Sequence, residues 1–304
     1  MRILNDFKKI PGLNSNSSKI FFLAISVLSL SACASLEAVS KTSTNLTTAS
    51  KNWENVGNEV LATCERSKQI EPVTRCERSK TASEAVQAVN TVLKRYFEVM
   101  GEATNEKSFT IEAGVGSAAS SIGEIPGIDE AKVKAASGLF STLSKWATAS
   151  LREKTLQSLI EEGGENAKTL INGLDQAVSA PLLDNLNEEE KNLASRFGSW
   201  FINMNVQTPI PLSNMCLPDK AIQFDRNNGG QAYLLVQEYC RSQKIIEDRK
   251  KAVNEYQKSL QSAQKALSEL QNSSSSLSSD SLAETLEPIN KDIGDSIKSL
   301  EEIF

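Results

Sequence analysis

Apolar positions recur with helical spacing along most of this chain. Beyond residue 38, one stripe keeps a strict seven-residue interval, and a weaker stripe of Thr, Ala and Val lies three positions later. Such a heptad pattern predicts an amphipathic helix that buries one narrow face against a partner helix. The main stripe consists of Val39, Leu46, Trp53 and Val60. We expect this helix to end between Cys64 and Lys68, because Pro72 follows.

A second heptad stripe begins soon after this proline. It consists of Val86, Leu93 and Met100, with Val89, Tyr96 and Ala103 three positions later. A short proline-containing connection between two amphipathic helices favours an antiparallel hairpin. The sequence therefore predicts a helical hairpin over residues 33–104, with its tip near residues 69–75.

The middle of the chain is less regular. Residues 104–130 break the helical pattern, and a short extended piece is expected at Phe109–Ile111. Most of residues 113–123 have small side chains, which would allow another helix to approach closely. Residues 129–161 are predicted to form a helix, and Gly163-Gly164 is predicted to end it. A further helix is expected from about residue 166 to 178, before Pro181. Asn187 is predicted to cap the start of another helix, with acidic residues in its first turn.

The last third contains the longest periodic segment. Over residues 231–272, Ile246, Val253, Leu260 and Leu267 keep a seven-residue interval, close to a coiled-coil seam. The prolines in residues 204–230 predict an irregular stretch before it. Ser273–Ser276 should break the helix, and a final helix is expected over residues 280–304. The fold prediction is an all-α, elongated bundle of roughly six helices. The predicted bundle has an N-terminal hairpin over residues 33–104, a central region over residues 105–230 and C-terminal coiled-coil-like helices over residues 231–304. We expect all three parts to form one domain over residues 33–304.

The N-terminal region has a different pattern. Basic residues precede an apolar run at residues 20–30, and Leu30-Ser31-Ala32-Cys33 follows. A basic segment, a short apolar run and small residues describe a secretory signal, here residues 1–32. The four residues ending in Cys33 resemble the lipobox of bacterial lipoproteins. That resemblance implies diacylglycerol on the Cys33 thiol, cleavage before it and acylation, typically with palmitate, of the new amino group. A plain secretion signal is the alternative.

The same resemblance carries an expectation about location. Ala34 follows the cysteine at the position where Asp favours inner-membrane retention, so the protein is expected at the outer membrane of bacteria that have one. The formal net charge of the whole chain is −5. A mildly acidic chain argues against nucleic-acid binding and against electrostatic docking on an anionic bilayer. The acyl chains would therefore attach the protein to the membrane.

Four further cysteines favour an oxidising compartment. An even number of cysteines in an exported chain predicts disulfides, and four residues allow three pairings. Sequence proximity favours one bond near the hairpin tip and one tying the irregular stretch to the last long helix. The expected pairs are Cys64 with Cys76 and Cys216 with Cys240.

A repeated pentapeptide surrounds the first pair. Cys64-Glu65-Arg66-Ser67-Lys68 recurs as Cys76-Glu77-Arg78-Ser79-Lys80. One interpretation is a charged recognition tip, and the other is a solvated turn that arose by local duplication. The candidate partner-binding residues are Glu65, Arg66, Lys68, Glu77, Arg78 and Lys80.

The complete absence of histidine constrains the chemistry most strongly. It removes Ser-His-Asp and Cys-His catalysis as well as histidine-containing zinc sites. No cofactor, metal site or catalytic residue is expected, and the protein is not expected to be an enzyme. The sparse aromatic residues around Trp146 and Trp200-Phe201 are interpreted as core, with an apolar groove for a partner helix or lipid as the alternative.

These observations favour a lipid-anchored envelope protein that acts as a structural or protein-binding helical module. Its partners would be the membrane, through the lipid, and a protein or a second copy of the chain. A second hypothesis is an α-helical pore-forming protein, with residues 113–123 as the inserting segment, or a membrane-held immunity protein. A third is an envelope hydrolase that uses carboxylates, although no acidic pair is singled out by its spacing.

Overall fold

The computed structural model describes residues 15–72, 74–104, 111, 113–125, 128–147, 152–203, 215–216, 229–277 and 279–304. It describes their side chains from Leu36 onward, except at positions 70, 113 and 152–154. These residues form an all-α bundle without a strand in the described ranges. Its helices are α1 (Ser15–Ile70), α2 (Glu77–Thr104), α3 (Ala113–Ile122), α4 (Glu130–Trp146), α5 (Arg152–Asn203), α6 (Gly229–Asn272) and α7 (Asp280–Ile303), with a 3₁₀ turn at Ser274–Ser276.

The predicted hairpin is confirmed as α1 and α2. Helix α1 ends at Ile70, slightly beyond the expected range, and α2 begins five residues past Pro72. The heptad stripes of both helices are buried, and the rings of Trp53 and Phe97 meet edge to face with centroids 6.4 Å apart. These side chains belong to one continuous core to which all seven helices contribute.

Helix α5 corrects the prediction for residues 152–203. The sequence led us to expect three segments, but one helix runs through Gly163-Gly164. These glycines lie where other elements come close. A Cβ atom on Gly163 would lie 2.6 Å from the Tyr96 ring, and one on Gly164 would lie 2.6 Å from the Gln271 amide. Both glycines are therefore explained by close packing and not by a break in the helix.

Pro181 and Asn187 were also misinterpreted. Pro181 lies inside α5, although an internal proline costs about 3 kcal/mol. Buried residues continue the same helical face on both sides of it, at Val178 and Leu182, and this burial offsets the cost. Asn187 is an exposed position within the helix and not a cap.

Residues 113–123 form more structure than expected. Ala113–Ile122 is a ten-residue helix that packs between α2 and α4. A Cβ atom on Gly116 would lie 3.1 Å from the Phe140 ring, so the predicted close helix contact is confirmed. Of the expected extended piece, Phe109 and Thr110 lie outside the described residues.

The long C-terminal helices complete the bundle. Trp53 meets Ser259 and Glu59 meets Arg249, so α6 runs antiparallel to α1. Helix α7 follows α6 after the short turn at Ser274–Ser276 and packs along it, so α7 returns parallel to α1, which it meets where Asn290 contacts Thr42 and Asn45. Helix α5 is also parallel to α1, as Asn185 reaches Val60 and Glu189 reaches Arg66. The predicted seam in α6 and the break after it are confirmed.

Candidate functional site

The tip of the α1–α2 hairpin is closed by a disulfide. Cys64 and Cys76 are bonded, with Cα atoms 5.7 Å apart, so the predicted pairing is confirmed. Helix α5 supports the tip from the side. Asn185 Nδ2 donates hydrogen bonds to the Val60 carbonyl and to Ser79 Oγ, each 3.2 Å long, and so links α5 to both helices of the hairpin.

Five of the six candidate partner-binding residues lie on the surface of this tip. Their side chains are exposed around the disulfide, and among the described residues Lys80 alone of the five has an ion pair, to Glu84 at 3.9 Å. The exposed candidates are Glu65, Lys68, Glu77, Arg78 and Lys80. The structure thus brings these charges together at one end of the hairpin.

Arg66 is different from its counterpart Arg78 in the repeat. Its guanidinium turns inward, where Nε donates to Glu189 Oε1 at 2.7 Å and Nη2 donates to Glu189 Oε2 at 3.0 Å. The same Nη2 also donates to Glu59, which forms a second ion pair with Arg249 Nε at 2.7 Å. Two arginines and two carboxylates from α1, α5 and α6 therefore form one charge-balanced cluster.

Burial and pairing act in opposite directions on the two arginines. Burial lowers the pKa of Arg66, but the hydrogen bond to Glu189 and the charge of Glu59 outweigh it and raise the pKa overall. Burial also lowers the pKa of Arg249, and there Glu59 does not compensate because the Arg66 cation lies close by. Both guanidinium groups stay protonated, since their reference pKa is far above neutral pH. The cluster therefore links three helices through two arginines that keep their positive charge.

The acidic residues expected in a first helical turn have structural partners instead. Glu189 is buried in the cluster, and Glu190 accepts a hydrogen bond from Lys250 Nζ at 2.6 Å. The sequence signal was present, since alternating charges on long helices often mark ion pairs between them. The partners could not be assigned from sequence, because they lie on helices 60 to 123 residues away.

The bundle extends beyond the hairpin tip. Arg196 Nη1 on α5 donates to the Gln69 carbonyl at 3.3 Å, so the last turns of α5 project past the end of α1. The start of α6 lies beside them, because the rings of Phe197 and Tyr239 are 5.4 Å apart. Cys216 and Cys240 are bonded here, with Cα atoms 5.2 Å apart, which confirms the second pairing.

This end carries four exposed apolar side chains, and the sequence analysis considered only one of them, Trp200. Ile202 is 78% exposed and Leu234 is 65% exposed, and Trp200 and Tyr233 are also exposed. We call these four residues the distal surface. A signal existed for α6: its buried stripe extends back through Tyr239 and Ala232, which leaves Tyr233 and Leu234 off the stripe.

The expectation that the tryptophans belong to the core is only partly correct. Phe201 is buried and Trp146 is half-buried, with its indole N–H donating to Glu162 at 3.3 Å. Trp200 instead faces outward, with the Arg196 guanidinium 4.9 Å from its ring. A cation over the face of an exposed aromatic ring is attracted to it, and this contact stabilises Trp200 at the surface.

Cys33 lies within helix α1, of which the structure describes the backbone at this position. The helix continues from there to Ile70 without a break. The basic residues Arg2, Lys8 and Lys9 lie outside the described residues. Where the chain is described, no helix has an apolar stretch long enough to cross a membrane.

The described residues contain no group of three or more cysteine or acidic side chains arranged to hold a metal ion. Comparison with known proteins assigns no relatives: no family model, no curated protein and no solved structure matches this chain.

Proposed function

We propose that this protein is a lipid-anchored component of the bacterial envelope that acts as a structural or protein-binding helical module. The observation that carries the proposal is the position of Cys33. It ends a lipobox-like sequence, and it lies in the same uninterrupted helix that forms the bundle. A lipid on Cys33 would therefore be joined to the bundle without a flexible tether.

This arrangement would set the distance between the membrane and the working end of the protein. At about 1.5 Å per helical residue, the disulfide-closed tip would lie roughly 40–50 Å from Cys33. Two or three acyl chains would hold the protein firmly, because each buried methylene contributes about 0.8 kcal/mol. Ala34 supports outer-membrane sorting.

The anchor can be tested by substituting the cysteine. Cys33→Ala should abolish incorporation of radiolabelled palmitate, leave the signal segment uncleaved and change how the protein fractionates with membranes. Ser31→Ala is the matched control, because it keeps a small residue in the lipobox and should mature normally. Palmitate incorporation or normal processing in Cys33→Ala would contradict the proposal.

The protein-binding role is supported by the distal surface. Exposed aromatic and large aliphatic side chains are typical of interface centres, and the exposed charged residues Arg196 and Glu238 lie near them along α5 and α6. The exposed charges of the hairpin tip lie close by, since Arg196 connects α5 to Gln69. Both candidate surfaces thus lie at the end of the bundle opposite Leu36.

This role can be tested by in vivo cross-linking in the native host. The pair Ile202→Glu and Leu234→Glu should remove a cross-linked product that the wild-type protein forms. Ile245→Glu is the control, because Ile245 is another exposed apolar residue, 39% exposed, farther along α6. The binding role would be rejected if the same products formed with the double variant at equal expression.

A further inference from the structure

The four cysteines of the two disulfides pair in the order in which they occur along the chain. Cys64 is bonded to Cys76, 12 residues later, and Cys216 is bonded to Cys240, 24 residues later. No other cysteine lies between the members of either pair. A chain that crosses a membrane from its N-terminus therefore presents the first pair complete before the second pair emerges.

Chain length also keeps these two pairs apart. The probability that the two ends of a flexible loop meet falls roughly as the −3/2 power of the loop length. Cys76 precedes Cys216 by 140 residues, so in the unfolded chain it meets Cys216 about forty times less often than it meets Cys64. The unfolded chain therefore favours both native bonds over any bond between the two pairs.

Cys33 is the one cysteine that chain length does not keep apart from the first pair. It lies 31 residues before Cys64, so a free Cys33 thiol would meet Cys64 only about four times less often than Cys76 does. It would meet Cys76 about seven times less often than Cys64 does. In a chain with a free Cys33 thiol, roughly a quarter of the first bonds would therefore include Cys33.

A bond from Cys33 to Cys64 is incompatible with the fold. Both residues lie in α1, which runs without a break from Ser15 to Ile70. Their Cα atoms are roughly 46 Å apart at 1.5 Å per helical residue, whereas a disulfide requires Cα atoms within about 7 Å. The bond would break α1 between them and withdraw Leu46 and Trp53, both completely buried, from the core. The mispairing that is most accessible to the unfolded chain is thus one that the bundle cannot contain.

We propose, on the basis of the lipid anchor proposed above, that lipidation of Cys33 must precede oxidation of the other cysteines because it removes the competing thiol. In that step the Cys33 sulfur displaces the headgroup phosphate of a membrane phospholipid from its glyceryl carbon. A C–O bond breaks, an S–C bond forms, and the thiol proton leaves with the released phosphate ester. The resulting thioether has no thiolate form, so it cannot attack a disulfide.

A dithiol oxidase of the envelope then forms each native bond. The thiolate of one cysteine attacks the disulfide of the oxidase, and the thiolate of its partner displaces the oxidase from the mixed disulfide. Two electrons and two protons pass from the cysteine pair to the oxidase, which leaves as a dithiol. Because Cys64 and Cys76 then have no nearby competitor, the lipidated protein should not depend on a disulfide isomerase.

The test is disulfide mapping of the full-length protein in a bacterial host that lacks disulfide isomerase and whose diacylglyceryl transferase can be depleted. Mass spectrometry of a non-reducing digest identifies the linked peptides, and radiolabelled palmitate reports lipidation. Before depletion, the wild type should contain only the two native bonds. After depletion, at least about a fifth of the chains should contain Cys33 linked to Cys64 or to Cys76.

Cys33→Ala is the matched control, because it removes the lipid and the thiol together. It should contain only native bonds after depletion, and the mapping does not require that the chain folds. Native bonds alone in the depleted wild type, or mispairing in Cys33→Ala equal to that of the depleted wild type, would overturn the inference while the anchor stands. A wild type without palmitate before depletion would instead overturn the anchor, and this inference with it.

Discussion

The indole N–H of Trp53 donates a hydrogen bond to Ser259 Oγ, 3.0 Å away and 206 residues later in the chain. Both side chains are completely buried. This bond fixes the register between α1 and α6, because each partner lies in the middle of its helix and has only one polar atom to satisfy.

Removing the acceptor should destabilise the bundle. Ser259→Ala leaves the buried Trp53 N–H unpaired, and we expect the free energy of unfolding to fall by about 1–3 kcal/mol in urea denaturation followed by circular dichroism. Ser268→Ala, on the same helix, removes a hydroxyl that bonds only to its own helix and should change stability little. Equal losses in the two variants would show that the Trp53 bond is not important.

The charge cluster should also be sensitive to its buried carboxylate. Glu189→Gln leaves Arg66 and Arg249 with Glu59 as their only anionic partner in the cluster, and we expect a loss of about 2–3 kcal/mol. Glu190→Gln alters the neighbouring, more exposed pair with Lys250 and should cost less than 1 kcal/mol, about the value of a surface ion pair. A larger effect at Glu190 would contradict the importance of the cluster.

The hairpin disulfide should stabilise the fold through the unfolded chain. Closing a 12-residue separation is worth about 3 kcal/mol in the chain-entropy model, so the double variant Cys64→Ala, Cys76→Ala should lose about that much. Adding a reductant to this variant separates the two disulfides, because any remaining loss then comes from Cys216–Cys240. The prediction fails if the oxidised double variant is as stable as the wild type.

The fold should become less stable in alkaline solution. Burial raises the pKa of Tyr96 and of Tyr256, so the folded state holds both protons more tightly than the unfolded state does. Their contribution is fully present below the unfolded value of about 10 and is lost as the pH rises above it. Tyrosinate absorbance of these two residues should appear together with the loss of helical circular dichroism. Ionisation of all tyrosines before unfolding would contradict this.

Much of the fold could be predicted from the sequence because heptad stripes report helix faces directly. The stripes that contain Leu46, Leu93 and Leu260 are all buried as expected. Both disulfides could also be predicted, since each links cysteines brought close by a local turn or helix start. These predictions depend only on spacing along the chain.

The rest depends on contacts between distant residues. The sequence alone predicts that Gly163 breaks a helix, whereas the structure shows that the Tyr96 ring lies against it. In the same way, the sequence does not distinguish Arg66 from Arg78, whereas the structure pairs Arg66 with Glu189. The distal surface could have been anticipated in part, because Tyr233 and Leu234 lie off the buried stripe of α6.

Helix α5 gives the bundle the mechanical character of a lever. Its 52 residues span roughly 78 Å at 1.5 Å per residue, from Arg152 to the distal surface. A force applied at the distal end would be transmitted to the opposite end with little extension of the helix. Pro181 is its weakest point, because no backbone hydrogen bond can form from its nitrogen. Any bending under load should therefore be concentrated there, and its two arms would move as stiff segments.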